Sequence, residues 1–125
     1  MAKGYQANRE HQEAINILGK ALSKRAGFKC EWCENKESLR TWEYHPDSDP
    51  TLDTLALLCD RCRKLASGST ADPKELHSIR NALWSEIPAV AEGAARVLAR
   101  CRETWTRDAI EESCIDEQLK AELLR

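Results

Sequence analysis

A chain of 125 residues is one domain by the usual length relation, large enough to bury a modest core and small enough to gain from a metal cross-link. Its 19 Lys and Arg against 21 Asp and Glu leave a net charge of −2, which excludes a surface built throughout for polyanions, and cations lead only up to Leu65, so nucleic-acid affinity is expected in the N-terminal half. The opening MAKGYQANREHQEA lacks the apolar core of a secretory signal, and no stretch approaches the roughly 18 apolar residues of a membrane span, so a cytoplasmic protein with no membrane partner is expected.

From about Asn8 to Arg25, residues Ala14, Ile17, Leu18, Ala21 and Leu22 recur at the spacing of an amphipathic helix, which Gly27 ends. The cysteine pair of KCEWC follows directly. SLRTWEY and TLALLC are β-prone runs on either side of the turn-rich HPDSDPTLD, and they predict a hairpin or two short strands. After the second pair, in LLCDRCRK, ASGSTADP has the composition of a loop. Asp72, Pro73 and Glu75 then offer an N-cap, a first-turn proline and a capping-box partner to a helix whose apolar stripe is Leu76, Ile79 and Leu83, with Trp84 beside it.

Another helix start is expected at Ser85, with Pro88 in its first turn and Val90, Ala94, Val97, Leu98 and Cys101 recurring up to about Arg102. One or two shorter helices should cover 106 to 124, carrying Ile110, Cys114, Ile115 and Leu119. Cys101 and Cys114 fall on these stripes and read as packing residues. The pattern has no internal repeat, glycine-rich phosphate loop, serine hydrolase elbow or H-E-x-x-H, and it does not indicate a small-molecule substrate.

Cys30, Cys33, Cys59 and Cys62 form two C-x2-C pairs with 25 residues between them. In a reducing compartment such pairs are metal ligands or redox groups before they are structural disulfides. A thioredoxin-like pair needs a βαβ context that is missing here, whereas two pairs complete the tetrahedral shell of one structural Zn2+. A shell of four thiolates has no open position for water, so this zinc stabilises and does not catalyse. Lys20, Lys24, Arg25 and Lys29 lead into the first pair and Arg61, Arg63 and Lys64 surround the second. Folding about the ion would gather them as a candidate nucleic-acid surface with Trp32 or Trp42 to stack on a base. Cations that complement a helix C-terminus and core tryptophans account for the same residues.

SKRAGFKCEWC, LRTWEY, LALLCDRCRK and LWSEIPAVAEGAARVLAR resemble the N-terminal zinc-binding region of the proteobacterial PhnA family over roughly residues 18 to 120. The last stretch is the more specific, because it lies outside the metal motif. In the family this region precedes a small β-barrel-like domain, and no stretch of these 125 residues resembles it. The resemblance implies a zinc-binding module and assigns no residue to carbon–phosphorus cleavage. In the WSEIP stretch, Trp84, Ser85 and Glu86 read equally as a partner site or as a clamp and cap at a helix junction.

A weaker resemblance is to zinc-bound HNH endonucleases. TWEYHPD is similar to the place of their catalytic histidine, which would make His45 the general base. The pattern departs at Thr54, where an asparagine is usual, and at Arg63, which cannot ligate a divalent metal. Asp47, Asp49 and Asp53 would have to supply the missing ligands, and turn formation explains them as well.

The expected architecture is α+β and mostly α. It is one domain, residues 1–125, in which a zinc knuckle with a short β-hairpin, of the zinc-ribbon or treble-clef kind, is packed between an N-terminal helix and a C-terminal helical bundle. Residues 8–65 hold the first helix and the metal module, and 72–124 the helical region. The expected role is recognition of nucleic acid or a protein partner, with a diverged nuclease using His45 as the alternative.

Overall fold

The computed structural model describes the backbone of residues 2–125 and the side chains of residues 9–125. Helix α1 (Ala2–Ala26) begins ahead of Asn8, because the segment before it contains no proline and is rich in helix formers such as Ala2, Lys3, Gln6 and Ala7. Its buried face is rotated from the expected one. Ile15 and Leu22 are buried and Leu18 half-buried, whereas Ile17 is 79% exposed and Ala21 faces solvent. Both rows have helical spacing, and the choice between them is made by what lies opposite.

At the C-terminus of α1, Gly27 takes φ +66° and donates to the Lys24 carbonyl at 3.1 Å, while the Phe28 N–H reaches the Ser23 carbonyl at 3.0 Å. This paired closure satisfies two orphan carbonyls and turns the chain sharply into the first cysteine pair.

Strands β1 (Arg40–Glu43) and β2 (Leu55–Leu58) pair antiparallel, with Trp42 opposite Ala56. Every residue of β2 is buried, and the period-2 alternation shares them between two sides. Leu55 and Leu57 meet Leu22 and Leu18 of α1 in one apolar cluster. Ala56 and Leu58 face the larger core with Trp32, Leu65 and the C-terminal helices. The hairpin is therefore sandwiched between α1 and the helical region, as expected, and β2 has no solvent face.

The remaining elements are α2 (Asp60–Ala66), α3 (Pro73–His77), a 3-10 turn (Arg80–Trp84), α4 (Pro88–Ala99), α5 (Thr104–Glu112) and α6 (Glu117–Leu123). Asp72 caps α3 by accepting from the Lys74 N–H at 3.1 Å. The helix does not continue to Trp84. Ser78 donates its hydroxyl to the Glu75 carbonyl at 2.6 Å, and the chain then tightens into the 3-10 turn while Leu76, Ile79 and Leu83 stay buried. Ser85 accepts from the Ile87 N–H at 3.1 Å, which sets up the start of α4 at Pro88, and α4 stops at Ala99.

Cys101 packs half-buried against the core. Cys114 is exposed, against its reading as a packing residue, because it lies between α5 and α6 where the helical phase is interrupted. Gly93 is buried in α4 against the rings of Trp32 and Trp42, and a Cβ there would stand 2.8 Å from one indole and 2.9 Å from the other. Replacing Gly93 by Ala is expected to destabilise the domain by about 1–2 kcal/mol, since overpacking outweighs the helix-propensity gain of about 1 kcal/mol. A lower urea midpoint at unchanged m-value is the readout. An unchanged or higher midpoint would show that the indoles yield freely.

Candidate metal centre

Two turns of different kinds present the four cysteines. The first is the knuckle after α1, where Cys30 N–H donates to the Asn35 carbonyl at 2.8 Å and Glu34 N–H to the Cys30 carbonyl at 2.9 Å. Closing it this tightly puts Glu34 at φ +68°, a left-handed conformation unusual for a residue with a side chain. The second is the start of α2, where Cys59 is the N-cap and its sulfur accepts from the Cys62 N–H at 3.5 Å. Knuckle, hairpin and helix N-terminus in this order are the treble-clef arrangement; in a ribbon the second pair would lie on another hairpin turn.

All four Sγ atoms lie within 4.8 Å of one another, with Cys33 and Cys59 at 3.5 Å, and Cys30, Cys59 and Cys62 are buried. This is the only such group of potential ligands among the described residues. The hydrogen bond from Cys62, opposed by burial, brings the Cys30 thiol down to about 5, whereas burial pushes Cys33 up to about 12. Cys62 is pushed up by its bond to Cys30 and by burial. Thiolates this close repel one another, and a cation in their midst is what allows all four to ionise together. The donor set therefore fits a metal ion.

Arg25 is not a free cation. It forms a two-pronged pair with Glu31, at 2.7 and 3.1 Å, and also donates to the carbonyls of Leu52 and Leu55. Glu31 in turn accepts from the Leu57 N–H at 2.9 Å, and its own N–H donates to the Leu57 carbonyl at 2.8 Å. One ion pair thus ties α1, the knuckle and β2 together beside the cysteines. Arg61 is held by Glu75 and by the Thr70 carbonyl, and its guanidinium keeps the Glu75 carboxyl below the usual carboxylate range. Both line the same cavity of about 170 Å3 as Cys33, Cys59 and Cys62.

Arg63 donates to the Ser38 carbonyl at 3.0 Å and lies 3.8 Å from Asp60, and Lys64 pairs with Asp60 at 3.0 Å. Of the seven expected nucleic-acid contacts, only Lys20, Lys24 and Lys29 are exposed without an ion pair among the described residues. His45 is exposed in the loop after β1, its ring 4.2 Å from that of Tyr44, and it forms no ligand group with Asp47, Asp49 or Asp53 among the described residues.

The sequence does not single out Glu31, and it marks Glu75 only as a capping-box partner, because a surface glutamate and one in an ion pair look alike until the chain is folded. His11 bonds to Glu43 across the α1–hairpin contact, and His77 stacks on Trp105 with centroids 3.7 Å apart. Trp84 is 39% exposed with Arg80 over its ring at 5.1 Å, and Ser85 ends the 3-10 turn without its side chain capping α4, whose N-cap is Ile87. No helix among the described residues is long and apolar enough to cross a membrane. Comparison with protein-family models, curated proteins and solved structures finds no match to this chain.

Glu31→Ala strands the Arg25 guanidinium, whose side chain is 19% exposed, and is expected to cost about 3 kcal/mol. Chemical denaturation of Glu31→Ala, Arg25→Ala and the double variant measures this. Additive losses would show that the pair contributes no coupling.

Proposed function

We propose that the chain is a PhnA-like zinc-binding module whose role is recognition of a nucleic acid or protein partner, with no catalytic residue assigned. Zn2+ is bound by Cys30, Cys33, Cys59 and Cys62, and its role is to hold the knuckle against α2. The carrying observation is the convergence of four sulfurs within 4.8 Å. A four-thiolate set selects zinc or iron over harder cations, and once complete it leaves no coordination position for a substrate or water.

Placement of the centre supports a structural role. It lies between the turn that ends α1 and the helix that follows the hairpin, where separate chain segments depend on a common anchor. No ligand cluster accompanies His45 among the described residues, which disfavours a nuclease.

Purified under reducing conditions, the chain should contain one zinc per molecule by elemental analysis and no iron chromophore. Stripping the ion with a strong chelator, or replacing Cys59 by Ser, should lower Tm by about 10 °C or more, because metal binding free energy is folding free energy here. A folded, metal-free chain with unchanged Tm would reject the proposal.

A further inference from the structure

A second concave surface, lined by none of the cysteines, lies between the end of β1 and α4. It is a cleft of about 490 Å3, with Trp42, Tyr44 and His45 on its wall, Gly93 in its floor and Arg96 and Arg100 at its rim. The wall is the outer end of a row of rings. Trp32 and Trp42 meet edge to face at 5.3 Å, Trp42 and Tyr44 at 5.8 Å, and Tyr44 and His45 at 4.2 Å. Exposure rises along the row from buried Trp32 through half-buried Trp42 and Tyr44 to exposed His45. Core packing accounts for the inner end and leaves the outer end unexplained.

The rim is cationic, with no direct ion pair to either arginine among the described residues and Glu92 joined to Arg96 only through the Tyr44 hydroxyl. Arg96 Nε donates to the Tyr44 hydroxyl at 2.7 Å, with its guanidinium 5.7 Å from the ring centroid, and Arg100 donates to the Leu65 carbonyl. The Tyr44 proton goes to Glu92 at 3.1 Å. Both arginines are exposed, and neither has a carboxylate within ion-pair distance among the described residues, unlike Arg25, Arg61 and Arg63. The bonds to Tyr44 and Leu65 fix their direction without neutralising them.

We infer that this cleft binds a nucleotide unit, its base against Tyr44 and His45 and its phosphate at Arg96 and Arg100. An inorganic anion would use only the rim, and an uncharged apolar ligand only the wall. A flat ring joined to a phosphate uses both, by stacking and by paired guanidinium hydrogen bonds. The unit belongs either to a single-stranded nucleic acid or to a free mononucleotide. The inference rests on the recognition reading above and gives that reading a site and a ligand class.

The test is fluorescence anisotropy of a labelled oligothymidine of about ten nucleotides at low salt, with AMP and inorganic phosphate as competitors. Wild type should bind, and His45→Ala and Arg96→Gln, both at exposed positions, should each weaken binding about tenfold while keeping the wild-type Tm. Arg96→Gln should also reduce the slope of log affinity against log salt by about 0.7, the loss of one phosphate contact. AMP competing far better than phosphate supports the site, and AMP binding alone, equally sensitive to both variants, assigns it to a free nucleotide.

Phosphate competing as well as AMP overturns the inference, since the rings then contribute nothing. Variants that bind like wild type overturn it too, and leave nucleic-acid recognition on another surface. If neither oligonucleotide nor AMP binds, the cleft inference fails while a protein-recognition reading stands, and the metal analysis remains an independent measurement.

Discussion

Four sulfurs drawn within 4.8 Å repel one another as soon as more than one is ionised, so the geometry of the centre is tolerable only with protons or a cation among them. The two turns that present the cysteines are arranged around this constraint. The αL turn at Glu34 and the sulfur N-cap at Cys59 are local arrangements that aim donors at one point. The paired closure of α1 delivers the chain to the knuckle, and the hairpin sets how far the second pair lies from the first.

Around that centre the protein uses its cations internally. Arg25 joins three segments through Glu31, and Arg61 closes over the cysteines through Glu75. Such groups are poor candidates for a partner, because engaging one means breaking a geometry already satisfied. Among the cations in no ion pair are the lysines on and just after the C-terminal half of α1, and Arg96 of α4 with Arg100 at its end, both lining the cleft. These arginines lie in the half of the sequence where acids outnumber bases.

What could be read in the sequence was what repeats at fixed spacing. The two cysteine pairs, both strands, the Asp72 cap and the apolar rows of α4 to α6 all carry a local signature, and so the sandwich of hairpin between helices was legible. The rotation of α1 was not, because the rows through Ile15 and Ile17 have equal periodicity and only Leu55 and Leu57 opposite decide between them. The break after α3 depends on one hydroxyl of Ser78 competing for a carbonyl, an interaction that apolar spacing does not register. Nor could the cleft be foreseen: His45 was read for acid–base chemistry with nearby aspartates, whereas folding sets it beside Tyr44 and across from arginines some fifty residues away. Assigning the basic surface to the N-terminal half followed total charge, which ion pairing then redistributed.

Trp32 is flanked in sequence by two of the four cysteines, and its indole N–H is fixed to the Val90 carbonyl at 3.0 Å. It is also the innermost ring of the row that ends at His45. Whatever orders the knuckle therefore seats the first plate of a stack whose last plate forms the cleft wall, with Gly93 leaving no slack behind it. The knuckle and the cleft wall are thus two ends of one packed row of rings, and neither can be repacked without the other.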